Sequence, residues 1–484
     1  MLKISTVLLS LLFLLSCSTV SKLGVREQHK LNIGLRIATI ADTQYTTDKL
    51  EDEYLFRTRF ADKVSNWAIR TTAQEYLALD NLGYFFNDMK KLNPDIVFYL
   101  GDGMNSGCRD EVDNFFAQLE KARAMLGKPM FFLIGNHDYL ATGNQIDPEI
   151  RQKTCGNGNG VYTKAQLIAK TDKFNTISYN QFNKAKIFVG FKDNIASYNS
   201  NHSWEMPINK ACNKNNAPDQ HKEKSFKCFY TGILQYQKNG VKGQIVLTDT
   251  SDYRDIEFQP DVSLTEFYGT VGAISWRGGG QADWIAKNLT GRNDVRIITS
   301  HYKVDQLGYT DFATGKPGQL LLKGKNKNLW LSAHTHIPDP KAGVTNHRYA
   351  KNLVKNVKTV HQINVGSTTD YVPHFAIIES NKKGTFKTSY PTQAQYKALK
   401  CDALVKGIKL TPDYLPVLHN VRDTYTLLGL TGQYRDKQYK TKNARANLKK
   451  LLGGLSNSDR ERYARCLLYV GAQQEKKQKS VQRD

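Results

Sequence analysis

The sequence predicts an α/β fold followed by a small α-helical C-terminal domain. Three observations carry this expectation. Short apolar runs of strand length alternate with stretches of helical spacing from Leu35 onward. Several of those runs stop on an Asp, Asn or His rather than on a plain turn residue. From about Gln393 the texture becomes basic and helical, without glycine-rich strand ends.

The elements follow in order. LRIATIAD, from Leu35, reads as a buried strand, and Leu77–Leu92 has apolar residues at helical spacing. Asn93-Pro94-Asp95 breaks that helix, and Ile96–Leu100 reads as a second strand. A helix around Asp113–Ala124 precedes Pro129 and the apolar run of MFFLIGNHD. Strand, helix, strand, helix, strand implies crossover connections and parallel pairing. Residues 141–235 are rich in Asn, Gly, Lys and aromatics; they read as an insertion with four short antiparallel strands, among them TISYNQF and KIFVGF. GQIVLTDT (243–250) resumes the apolar strands, and GGGQADWIAKNL (278–289) reads as a glycine loop entering a helix. DVRIITSHY, KNLWLSAHTH and HQINVGSTTDY add three strands, and HFAIIES with GTFKTSY forms a closing hairpin.

The chain has 484 residues and a formal charge of +23, which favours anionic partners such as phosphate esters, nucleic acid or acidic head groups. Residues 1–16 (Lys3, an apolar run, then Leu14-Leu15-Ser16 before Cys17) read as a signal peptide too short to span a bilayer. The Leu-x-Ser-Cys ending resembles a bacterial lipobox, which implies cleavage before Cys17, lipidation of that residue and anchoring at the cell envelope; cleavage elsewhere gives a plain exported protein. Residues 17–34 suit a tether, 35–392 form the α/β domain, and 393–484 form the C-terminal domain. From Lys397 onward that domain carries 19 Lys or Arg against 8 Asp or Glu, which suits an anionic surface or polymer. Setting Cys17 aside leaves six cysteines, an even number for an oxidising compartment. Six allow 15 pairings; pairing neighbours gives Cys108–Cys155, Cys212–Cys228 and Cys401–Cys466. No Cys-x-x-Cys spacing points to a zinc-thiolate site.

The polar residues at the ends of the apolar runs are Asp42 and Gln44, Asp102, Asn136 and His137, His301, and His334 and His336. In an open α/β sheet the carboxyl ends of the strands share an edge where ligands bind. Carboxylates, amides and imidazoles gathered there are donors for hard or borderline divalent metals, and without a metal they would be costly to bury.

ADTQ, GDGMN, GNHD, SHY and AHTH, in that order, resemble the motif series of the calcineurin-like metallophosphoesterases across roughly residues 35–380. The resemblance implies a four-layer α/β/β/α sandwich with two divalent metal ions (Mn, Fe, Zn or Mg) on loops at one edge. Asp42, Asp102 and His336 would hold the first, with Gln44 where the family usually has His. Asp102 would bridge to the second, held also by Asn136, His301 and His334. His137 would stand beside the substrate as proton donor or transition-state stabiliser, with Asn105 orienting it. Ala333 replaces the family's usual Gly, and Tyr302 stands where Pro often follows the lone His. Gln44 either ligates through its amide oxygen or bonds a neighbouring carboxylate. As a ligand weaker than imidazole it implies lower occupancy of the first site and a tilt from Zn toward Mn, Mg or Fe.

The resemblance further implies attack on phosphorus by a metal-activated water, with no covalent phosphoenzyme. GNHD rather than GNHE favours a phosphatase acting on monoesters. The alternatives are a phosphodiesterase acting on nucleotides or lipid head groups and, from another class, a surface lipoprotein that binds anionic polymers around a vestigial metal site. No Gly-x-Ser-x-Gly elbow supports a serine hydrolase. Arg277 beside GGG either grips a phosphate or belongs to a turn, and GNGNG (156–160) reads as a surface turn. Tyr45, Tyr139 and Tyr302 either line the pocket or pack beneath it, and Asp249 and Asp252 order loops near the site.

Overall fold

The computed structural model describes residues 24–29, 31–45, 78–105, 107–139, 160, 162, 164–184, 229–252, 272–276, 280–289, 294–307, 327–336, 344–345, 360–368, 375–380, 386–390, 456–462 and 466. Twelve strands stand among them: β1 Gly24–His29, β2 Ile37–Ile40, β3 Ile96–Tyr99, β4 Met130–Phe132, β5 Gly232–Lys238, β6 Val241–Leu247, β7 Val295–Thr299, β8 Lys327–Ser332, β9 Val344–Thr345, β10 Val360–Asn364, β11 Ala376–Ser380 and β12 Phe386–Tyr390. The longer helices are α1 Ala78–Leu92, α2 Arg109–Leu126, α3 Lys164–Lys184 and α4 Gln281–Asn288.

The strands form two six-stranded sheets, ordered β1-β12-β11-β2-β3-β4 and β5-β6-β7-β8-β10-β9. In the first, β2, β3 and β4 run parallel; in the second, β6, β7, β8 and β10 do. Successive side chains of a strand point to opposite faces, and the core divides accordingly. One apolar cluster joins Leu82, Phe85, Phe115 and Phe116 of α1 and α2, through β2–β4, to Ile245, Ile297, Leu329 and Leu331 of the second sheet. The next residues along, Val246, Ile298 and Trp330, pack on the opposite face with Ala282 and Ile285 of α4. Helices therefore cover the outside of two sheets packed face to face, which is the expected four-layer sandwich. Each large apolar side chain so buried contributes roughly 1.5–3 kcal/mol.

Helix ends follow local chemistry. α1 buries Ala78, Leu82, Phe85, Phe86 and Met89 along one stripe. It stops where Asn93 takes a left-handed φ of 48° before Pro94. α2 stops at Gly127, with φ 61° and its N–H donating to Arg123 O.

Two expectations are corrected. TISYNQF is the C-terminal part of α3 and not a strand. Its β-branched residues imitate a strand pattern, but Phe174, Asn175, Ser178 and Tyr179 are the buried ones, at helical spacing. Packing against β4 decides the matter: Asn175 accepts from Phe132 N at 2.8 Å and donates to Phe132 O at 2.9 Å, so its amide stands in for a neighbouring strand at the sheet edge. Gly24–His29, inside the stretch read as a tether, pairs antiparallel with β12 as β1.

Among the described C-terminal residues, 457–462 are helical. Arg460 Nε lies 2.8 Å from Asp80 Oδ1, and Asn87 Nδ2 donates to Glu461 Oε2 at 2.9 Å, so this turn lies against α1. The leader with Cys17, KIFVGF, Arg277 and most of residues 393–484 lie outside the described residues. Each expected disulfide includes a cysteine there, namely Cys155, Cys212, Cys228 or Cys401. No helix among the described residues is long and apolar enough to cross a membrane.

Candidate metal centre

The loops after β2, β3, β4, β7 and β8 meet at one edge of the sandwich. Loop 41–45 runs alongside loop 101–105: Asp42 N donates to Gly101 O at 3.1 Å, Gln44 N to Asp102 O at 2.9 Å and Tyr45 N to Gly103 O at 2.9 Å. Asp42, Gln44, Asp102, His334 and His336 all have positive φ, between 46° and 69°. Such values are uncommon for non-glycine residues and cost of order 1–3 kcal/mol each. Five of them at one edge mark a place where side-chain direction outweighs backbone ease.

The glycines in GDG and GNHD are required by close approach. A Cβ on Gly101 would sit 2.8 Å from His301 Nδ1, and one on Gly135 would sit 2.1 Å from Asp102 Oδ1. Ala333 needs no such freedom, because it lies outside the positive-φ set; its N–H donates to His301 O at 2.8 Å.

His301 is held in one tautomer. Its Nδ1 lies 2.8 Å from Leu100 O, which only accepts, so Nδ1 carries the proton. Its Nε2 faces Asp102 Oδ2 at 3.2 Å, Asn136 Oδ1 at 3.1 Å and His334 Nδ1 at 3.2 Å. A bare Nε2 lone pair cannot satisfy two oxygens and a nitrogen that are themselves electron donors. Either a proton or a cation must sit among them. Without a cation, burial depresses His301 but Asp102 outweighs it, and its pKa rises to about 9. Burial and the neighbouring His301 push His334 well below its usual value.

A second group adjoins the first. Asp42 Oδ1 lies 3.7 Å from His336 Nε2, and Asp42 Oδ2 accepts from His334 N at 3.0 Å. Burial raises the Asp42 carboxyl to about 6, against the pull of His336 and His301. Gln44 places one amide end 3.3 Å from His336 Nε2, whereas its Oε1 is buried without a hydrogen-bond partner. No carboxylate stands among its described partners. Donor atoms of Asp102, His301 and His334 lie within 4.8 Å of one another, and so do those of Asp42, Asp102 and His336. Asp102 belongs to both sets. Burial opposes its charge, but His301 and His137 outweigh that and hold it well below the usual carboxylate range.

His137 stands beside the shared carboxylate. Its N–H donates to Asp102 Oδ1 at 2.8 Å, and its Nε2 lies 4.0 Å from Asp102 Oδ2. Its Nδ1 is 3.1 Å from the backbone carbonyl of Asn105, so the described contact with Asn105 runs through the main chain. All nine residues singled out in the sequence are gathered at this edge. The donor set suits a divalent metal pair: carboxylate, amide and imidazole groups converge with one shared carboxylate and one orphaned amide oxygen.

Sequence reasoning assigns no role to Asp138, the last residue of GNHD. Its carboxylate accepts from Gly135 N at 2.7 Å, Asp102 N at 3.0 Å and Met104 N at 3.1 Å, tying the loop after β3 to the loop after β4. Burial and the nearby Asp102 raise it to about 7. The signal available in the sequence was a buried-type Asp directly after the histidine of a tight Gly-Asn turn. Tyr302 is fully buried with its ring against that of His334, 4.1 Å between centroids. Tyr139 is fully buried too. Both rings are shielded from solvent, and that of Tyr302 packs directly on His334.

A family model described as calcineurin-like phosphoesterase matches residues 35–354. Similar solved structures include a dimetal phosphatase from Danio rerio, 13% identical over 72% of this chain and 93% of that one, with TM-score 0.40. A 5'-nucleotidase from Candida albicans SC5314 is 12% identical over 88% of this chain and 59% of that one, with TM-score 0.33. The calcineurin-like phosphoesterase YfkN from Bacillus subtilis is 11% identical over 87% and 100%, with TM-score 0.25. No curated protein matches.

Proposed function

Because the chain belongs to the calcineurin-like phosphoesterase family, whose members are metal-dependent hydrolases of phosphoric esters, we propose that it is a two-metal phosphatase acting on phosphate monoesters. Asp42, Gln44, Asp102 and His336 hold one cation in this reading; Asp102, Asn136, His301 and His334 hold the other. The supporting observation is the Asp102 carboxylate, whose atoms belong to both donor sets. A carboxylate placed between two groups of bases is the arrangement that a ligand shared by two cations requires.

When bound, a divalent pair supplies Lewis acidity that neutralises phosphoryl charge and makes hydroxide available near neutral pH. The chain's own residues do the rest. His301 is oriented by the Leu100 carbonyl so that its Nε2 is free to ligate. His137 Nδ1 donates to the Asn105 carbonyl, which leaves Nε2 toward the reacting group, where the ring in its doubly protonated, imidazolium form donates a proton or a charge-stabilising hydrogen bond. Asp138 keeps the two loops in register.

Export and lipidation of Cys17 belong to the same reading and rest on the leader sequence alone. The three disulfides rest on the even cysteine count, and attraction to anionic surfaces rests on the basic C-terminal region. The test is a panel of phosphate mono- and diesters incubated with purified protein, metal-stripped or supplied with Mn, Mg, Zn or Fe. Metal-dependent phosphate release from monoesters is expected. Hydrolysis of diesters alone would reassign the substrate class, and no hydrolysis with any metal would overturn the proposal.

A further inference from the structure

The two halves of the site stand on different sheets. Asp42, Gln44, Asp102, Asn136 and His137 follow strands of the first, and His301, His334 and His336 follow strands of the second. A four-residue strap after β6, residues 249–252, touches both halves. Toward the second sheet, Thr250 Oγ1 accepts from the N–H groups of His301 at 3.2 Å and Tyr302 at 3.0 Å. Toward the first, Tyr139 OH donates to Ser251 O at 3.3 Å. Lys164, the first residue of α3, reaches Asp249 Oδ2 at 2.8 Å and Ser251 O at 2.6 Å.

The Lys164–Asp249 pair is almost completely shielded from solvent, with side-chain exposures of 0% and 1%. Burying two charges costs more than a well-packed apolar pair of similar volume would. The pair is therefore poorly explained as a packing device. The strap is fixed further by Gln281, which accepts from Asp249 N at 2.8 Å and donates to Asp249 O at 2.8 Å and Asp252 Oδ2 at 3.0 Å. Asp252 Oδ2 also accepts from Ser275 N at 3.0 Å. Gln281 and Ser275 tie the strap to the second sheet's own helix, whereas Lys164 and Tyr139 tie it to the first half, so the strap opposes a slide that would separate Asp102 from His301.

We infer that Lys164 and Thr250 are positioning residues of the proposed metal centre: Lys164 locks strap 249–252 to the half on the first sheet, and Thr250 transmits that constraint to His301. This rests on the two-metal reading above.

The test uses purified full chain, metal-stripped and titrated with Mn²⁺ by calorimetry, with thermal midpoints measured on the metal-free protein. Thr250→Val keeps the shape and removes the acceptor; it is expected to weaken Mn²⁺ binding about 10-fold or more, and Thr250→Ser to restore most of it. Lys164→Met is expected to weaken binding similarly. Variants that melt earlier but bind Mn²⁺ like the wild type would reduce these residues to packing and overturn the inference. If Lys164→Met does not fold, the Val and Ser variants at position 250 decide between these outcomes. Wild-type protein that binds no Mn²⁺ removes the two-metal reading itself, a failure visible before any substitution is made.

Discussion

Asp102 and His301 meet across two separate sheets, with Oδ2 and Nε2 3.2 Å apart at the end of β3 and the end of β7. Almost 200 residues separate them in the chain, and neither has a direct sequence reason to find the other. Their meeting depends on the face-to-face packing of the sheets, and it makes Asp102 the most consequential single side chain of the site. Asp102→Asn is expected to lose most of the bound metal and to lower turnover by roughly 100-fold or more. Metal-to-protein ratio by mass spectrometry and single-substrate kinetics measure the two losses. An Asn variant with full metal content and full activity would place the chemistry elsewhere.

His137 touches Asp102 through its backbone and is oriented by Asn105 O, but it belongs to neither set of converging donors. Its removal should separate chemistry from metal binding. His137→Ala is expected to reduce turnover by about 10²–10⁴, the usual worth of a positioned acid or base, with metal content unchanged. Loss of metal in step with activity would instead make His137 a ligand.

Gln44 offers an amide where imidazole would bind borderline metals more tightly, and its Oε1 is buried without a hydrogen-bond partner. Gln44→His is expected to raise affinity at the first site and to shift preference toward Zn over Mn. Competitive titration of stripped protein with the two metals reads both effects. Unchanged affinity together with unchanged preference would show that Gln44 does not ligate.

Asp252 provides a pH signature away from the metal donors. Burial raises its pKa from 3.8 to about 6 in the fold, with Lys164 opposing and Asp249 adding to the rise. The folded state therefore holds this proton more tightly than the unfolded chain. Its contribution favours folding below about pH 4 and declines as pH rises to about 6, by up to roughly 3 kcal/mol from a shift of about two units. Asp252→Asn should flatten that decline, so that the variant gains stability relative to wild type between pH 4 and pH 6.5. Urea midpoints across this range measure the gain, and parallel curves would refute it.

Asn175 closes the edge of the first sheet by pairing with both main-chain groups of Phe132. Asn175→Ala leaves a buried N–H and C=O unpaired, and is expected to cost about 1–3 kcal/mol for each. Because β4 leads into Asn136 and His137, the same variant is expected to lower metal affinity along with the denaturation midpoint. A normal midpoint would mean that water replaces the amide.

Much of this protein is written locally. Alternating apolar runs and helical stretches specify β2, α1, β3, α2 and β4 because a buried strand needs continuous apolar residues and a covering helix needs a stripe. The donors were legible for the same reason: Asp, His and Asn directly after a buried run are expensive there unless something uses them. Other features had no local signal. TISYNQF reads as a strand by residue type and becomes helix because α3 must cover β4 and deliver Asn175 to its edge. Gly24–His29 looks like a tether until β12 offers it a strand edge. Asp138 shows in the sequence only as the Asp closing GNHD, and Thr250 acts on backbone N–H groups, which are identical at every residue type except proline and so leave no trace there. The residues that compose the site were set by the sequence itself. The packing of two sheets decided which of them share Asp102, because only that packing brings the loops after β3 and β7 together and sets Asp102 Oδ2 3.2 Å from His301 Nε2.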